Sequence, residues 1–119
     1  MYFEKFLNYA NVVSKRQNIT QEKKEAMLEE MKNEFLKIVD ASNIILDARL
    51  GTSDYKNKEE YNNAINESIV AAKKADNIYK AQFGVGMFEK VPESAAEIYD
   101  ISAQISKDML SKVEEEDSQ

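Results

Sequence analysis

The side chains in this sequence best spaced to do chemistry are oxygen ligands. Asp40, Asn43 and Asp47 recur at three- and four-residue steps, which places them on one stripe of an α-helix, beside its apolar arc. Two carboxylates and an amide suit a hard divalent cation such as Mg²⁺, which takes oxygen ligands and keeps several waters. Held there, the ion would orient a water and polarise a phosphoryl oxygen during hydrolysis of a nucleotide. Asp40 and Asp47 are the ligands this reading names. The competing reading is a solvated stripe, because charge runs on helices usually face water.

All-α nucleotide pyrophosphohydrolases hold Mg²⁺ between facing helices, with a pattern that resembles ExxE followed at short distance by ExxD. This chain has Glu22-x-x-Glu25 and Glu97-x-x-Asp100, but the two lie far apart and on polar faces. The chain has no histidine and no cysteine. The commonest general base, the commonest transition-metal ligand and any thiolate nucleophile are therefore missing. A di-iron bundle, which needs Glu-x-x-His pairs, is excluded. There is no Ser-x-x-Lys and no cofactor fingerprint. No cofactor is expected, with Mg²⁺ entering only if the chain hydrolyses a nucleotide.

Two charges interrupt apolar arcs. Asp76 falls between Ile69, Ala72 and Phe83, and Arg49 is flanked by Ile45, Leu46 and Leu50. Buried charges are costly unless paired, so both are candidates for buried polar positions, the competing reading being a charge at a helix margin that reaches water or one partner. In an antiparallel hairpin they lie roughly 20–25 Å apart at about 1.5 Å per residue, too far to pair with each other. Arg49 is level with Glu59 and Glu60. Asp76 is level with Lys5, Lys32 and Tyr99, and its carboxylate is expected to find a partner.

The stretch "AQFGVGMFEKVPES", residues 81–94, holds two of the three glycines and the only proline. A phosphate-binding GxGxxG needs a preceding strand and a third glycine, and a P-loop needs Gly-Lys-Ser/Thr. Here Gly84 follows the last periodic residue of a helix, and Pro92 is expected near the first position of the next. The glycines read as a helix stop. They do not explain why Val85, Met87 and Phe88 follow, since loops are mostly polar and exposed. Either Met87 and Phe88 fold back to plug the end of a bundle, or the three form an apolar contact site for a partner.

The composition frames these sites. At 119 residues the chain has the length of one domain, enough for a modest core. Its 43 % hydrophobic and 32 % charged content is that of a globular protein, too apolar for a disordered one. The net charge is −6, and the excess of acid sits in the second half. Residues 1–50 carry eight acids and eight bases; residues 51–119 carry fourteen and eight. Lysines are interleaved with acids, so no basic stripe exists to track phosphates, and nucleic acid is not an expected partner. No apolar run approaches the roughly 20 residues of a membrane span. The opening "MYFEKFLNYANVV" lacks the apolar stretch of a signal peptide. A cytoplasmic location is expected, consistent with the absence of cysteine.

Long stretches of 3.6-residue periodicity predict four helices. The first spans about residues 2–16, with Phe3, Phe6, Leu7, Ala10 and Val13 on one face. Thr20 is placed to cap a second helix over about 21–50, closed by Gly51. Asn57 and Glu60 resemble a capping box for a third, about 58–83. The fourth is expected from about Pro92 to Val113. Small residues on the apolar faces, among them Ser42, Ser68, Ala72, Ala75 and Ser102, allow close helix approach. Short connections favour an all-α, four-helix up-down-up-down bundle over residues 1–113, with 114–119 an acidic flexible tail.

The layout "VDASNIILDARLGT", then "EYNNAINESIVAAKKADNIYKAQFG", then a short helical close resembles small all-helical bacterial proteins of unknown function, some from mobile elements. The resemblance implies an all-helical fold and carries no functional residues. Binding to another protein, or self-association, is the expected role. Nucleotide hydrolysis with Mg²⁺ and small-molecule sensing by a pocket in the bundle core are the alternatives.

Overall fold

The computed structural model describes residues 2–51, 55 and 57–117. Among these every regular element is a helix: α1 (Tyr2–Ser14), α2 (Gln21–Leu50), α3 (Lys58–Phe83) and α4 (Ala95–Asp117). The all-α, four-helix architecture is the one the periodicity predicts. Most of the expected turn "GTSDYKN" lies outside the described residues.

Local chemistry sets the helix ends. Thr20 adopts an extended conformation and its side chain accepts from Lys23 N at 3.1 Å. The Asn57 side chain does the same for Glu60 N at 2.9 Å. Each such cap satisfies a donor that the helix cannot satisfy itself, a contribution of about 1 kcal/mol. Gly84 closes α3 with φ of 78°, and its N–H donates to Lys80 O. That left-handed conformation is open to glycine without a steric penalty.

The start of α4 differs from expectation. Pro92 is buried and lies before the helix, and the cap is Ser94. Its hydroxyl accepts from Glu97 N at 3.2 Å, and the Glu97 carboxylate returns to within 3.3 Å of that hydroxyl. The helix then runs on through residues 114–117, which the sequence assigned to a tail. Glutamate is a good helix former, and here propensity outweighs the unfavourable placing of acids near a negative dipole end. Residues 118–119 of the expected tail lie outside the described residues.

α2 is the hub. Phe6 stacks on Phe35 with ring centroids 4.6 Å apart, and Lys24 Nζ donates to Ser14 O at 3.0 Å. α1 therefore runs antiparallel along the first half of α2. α3 lies along α2 through buried Ala71, Ala72 and Ala75, with Ser68 Oγ donating to Lys37 O at 3.0 Å. α4 covers the second half of α2. Ser102 Oγ donates to Val39 O at 2.7 Å and lies 2.9 Å from Ser42 Oγ, while Arg49 sits over the Tyr99 ring.

These levels also give direction. Tyr99 is beside Arg49 at the far end of α2, and Asp108 is close enough to Tyr2 to act on its phenol. α4 thus runs antiparallel to α2 and in the same sense as α3. The first three helices alternate; the fourth does not continue the alternation. The reason is the connection, residues 84–94, which is no tight turn. It passes back along α3, with Val91 and Pro92 reaching the level of Ile69 and Val70.

Candidate functional site

Of the residues that the sequence singles out, Asp76, Met87 and Phe88 meet at the returning connection, while Asp40, Asp47 and Arg49 lie apart on α2. Met87 is 0 % and Phe88 6 % exposed, while Val85 is 62 % exposed. The Phe88 ring lies 5.1 Å from that of Tyr2, so it is covered by the first turn of α1. Met87 and Phe88 belong to the core, and of the expected apolar trio only Val85 faces solvent.

Asp76 holds this segment down. Its Oδ1 accepts from Phe88 N at 3.0 Å. From the opposite side Lys5 Nζ donates to Met87 O at 2.7 Å. Those two backbone groups belong to a single peptide unit. No cis bond occurs among the described residues, and a trans peptide directs its C=O and N–H to opposite edges. A carboxylate and an ammonium therefore grip the two edges of one amide. Both bonds are charge-assisted, and each polarises the peptide in favour of the other. The ammonium is further placed over the Tyr2 and Tyr79 rings, at 5.9 and 6.0 Å from their centroids, within cation–π range.

Gly86 completes the arrangement. A Cβ there would lie 2.5 Å from Asp76 Oδ1 and 2.8 Å from Oδ2. The second glycine of GVG is therefore room for a carboxylate, whereas the first is a helix stop. Lys5 appeared in the sequence only as level with Asp76, and Gly86 only as part of a turn. Neither signal is local, because the peptide that joins Lys5 to Asp76 belongs to a third segment.

Arg49 corrects the helical wheel. It is exposed, with its guanidinium 5.6 Å from the Tyr99 ring centroid. Residues 46–50 are all exposed, Leu50 at 73 %. Tyr99 in turn is next to Arg49 and not at the level of Asp76, which follows from the direction of α4.

Asp40, Asn43 and Asp47 all lie on the exposed side of α2. Seven residues separate the two carboxylates, about 10 Å along the axis, against Mg²⁺–oxygen distances of about 2.1 Å. Among the described residues no three His, Cys, Asp or Glu side chains are grouped so as to hold a metal ion.

Burial raises the pKa of Tyr2 above the usual tyrosine value, helped by the nearby charges of Glu89 and Asp108. Burial does the same to Tyr9, with Glu30 adding to it. A groove of about 290 Å³ lies between α3 and the connection, lined by Ile69, Val70, Lys73, Val91, Pro92 and Glu93. Val70, Lys73 and Glu93 are exposed, so this is an open surface cleft and not a chamber in the core. No helix is long and apolar enough to cross a membrane among the described residues.

Comparison of the chain with protein-family models, with curated proteins and with solved structures returned no match.

Proposed function

We propose that this chain acts by binding, to another protein or to a second copy of itself, through the C-terminal end of α4. The observation that carries this reading is a stretch of helix with its apolar side uncovered. Met109 is the last α4 side chain packed on the core among the described residues, yet the helix continues to Asp117. Leu110 and Val113, on one face three residues apart, are 64 % and 53 % exposed. A few turns of helix are marginal without a packed face, so a partner lying on Leu110 and Val113 would complete what the fold leaves open. The setting we infer is cytoplasmic, supported by a chain without cysteine. Binding is favoured over catalysis because the strongest polar constellation, at Asp76, is spent on holding backbone.

Sedimentation velocity from low to high micromolar concentration tests this, on the wild type and on a Leu110→Lys/Val113→Lys variant. The expected result is a wild-type sedimentation coefficient that rises with concentration and a variant whose coefficient does not, at equal helix content. A wild type that stays monomeric throughout removes the second copy as the occupant. Self-association that survives in the variant removes this face as the site.

A further inference from the structure

The Lys5–peptide–Asp76 grip ties together two parts of the chain that are remote in sequence, and it does so at one amide. We propose that residues 84–92 form a strap latched by this grip, and that its release frees α1 and the strap as one cooperative unit. This stands independently of the binding reading above.

Each part loses contacts when the other leaves. Two charged side chains grip the strap's backbone, Asp76 on α3 and Lys5 on α1, and Met87, Phe88 and Pro92 are buried beneath it. If the strap lifts, Lys5 loses its acceptor and Tyr2 loses the Phe88 ring. If α1 lifts, Phe88 and the Met87 carbonyl lose their cover and their cation. A partly buried polar group whose partner departs carries a desolvation cost, so neither half-open state is favoured. α2 and α3 are joined directly, Ser68 Oγ donating to Lys37 O at 3.0 Å. The opening unit is α1 with the strap, and to leave the α2–α3 hairpin it gives up the Phe6–Phe35 stack, the Lys24–Ser14 bond and the Arg16–Gln82 bond together. Proteins open in such contiguous units, at free energies below that of global unfolding. When this one opens, Met87, Phe88 and Tyr2 are uncovered together.

Native-state amide hydrogen exchange on the full chain tests it, with Asp76→Asn and Lys5→Met as separate variants. Asp76→Asn keeps the shape of the side chain and removes its charge. The expected result is exchange accelerated roughly tenfold, by one common factor, at Phe88 and at Tyr9, Ala10 and Val13, while Ala41 and Ala72 keep their rates. Lys5→Met, which leaves the bond from Phe88 N in place, is expected to accelerate the same set. The double variant should exchange no faster than about the faster single one, since either change opens the same latch. Acceleration confined to residues 86–88 would show that the strap opens without α1 and overturn the proposal. A uniform acceleration across all four helices would overturn it too, because no bounded unit then exists.

Discussion

Replacing Phe88 with alanine is expected to remove about 3–5 kcal/mol of folding stability, the cost of truncating a buried phenylalanine. The side chain is 6 % exposed, packed against Tyr2 and joined to the central cluster. Its loss empties the seat between the strap and α1, two segments that cannot close on a cavity without giving up the bonds from Lys5 and to Asp76. The corresponding fall in Tm is roughly 10–20 °C for a chain of this size. Calorimetric or circular-dichroism melting would read it. Val85→Ala, in the same loop but exposed, should leave the melt within about 0.5 kcal/mol of wild type. Equal effects at the two positions would contradict the burial assigned here.

A second large effect is expected at Gly86, where the cost lies in contact and not in conformation. Gly86→Ala sets a methyl group 2.5 Å from Asp76 Oδ1, so the carboxylate must withdraw and the bond from Phe88 N is lost. Overpacking costs about 1–3 kcal/mol, and a hydrogen bond to a charged group contributes about 1.5–3 kcal/mol. The sum expected is about 2–4 kcal/mol, less than full addition because the carboxylate can turn toward water. Asp76→Ala alone should cost about 1–3 kcal/mol through the orphaned amide. In that background the added methyl group meets open space and should cost little. Chemical denaturation of the four proteins gives the coupling directly, and a coupling above about 1 kcal/mol is expected. Strict additivity would show that Gly86 matters for its backbone and not for the room it leaves to Asp76.

The helices were legible because their signals are local. Thr20, Asn57, Gly51 and Gly84 each stand next to the element they close, and the alternating three- and four-residue steps run between them. α4 shows where local reading stops. The proline at 92 drew the boundary toward itself, although the Ser94-x-x-Glu97 box that starts two residues later is what caps the helix. Its direction depends on whether residues 84–94 turn at the end of the bundle or travel back along α3. Nothing in their composition decides that, since it rests on Asp76, Lys5 and the burial of Met87 and Phe88 acting at once.

The polar residues divide the same way. Asp76 was recognisable because a carboxylate inside an apolar arc must be partnered, and the structure supplies a backbone amide. Arg49 is the charge at a helix margin that was its competing reading, exposed and reaching the Tyr99 ring. Lys5 gave no signal of its own. Its role exists only once α1, α3 and the strap meet, which is a property of tertiary structure.

The central claim, that the connection returns along α3 and seats α4 in the same sense on the second half of α2, has a direct test. The chain contains no cysteine, so a Ser42→Cys/Ser102→Cys variant carries a single possible intramolecular disulfide. The two serine oxygens are 2.9 Å apart, a spacing from which a bond of about 2.05 Å forms with little movement. Mild oxidation is expected to give the cross-linked monomer in near-quantitative yield, read by mass spectrometry of the intact protein under denaturing conditions. Were α4 reversed in place about its midpoint, residue 106, Ser102 would move by eight residues, roughly 12 Å along the helix axis, away from Ser42. A pair that stays reduced, or links only between molecules, would contradict the account.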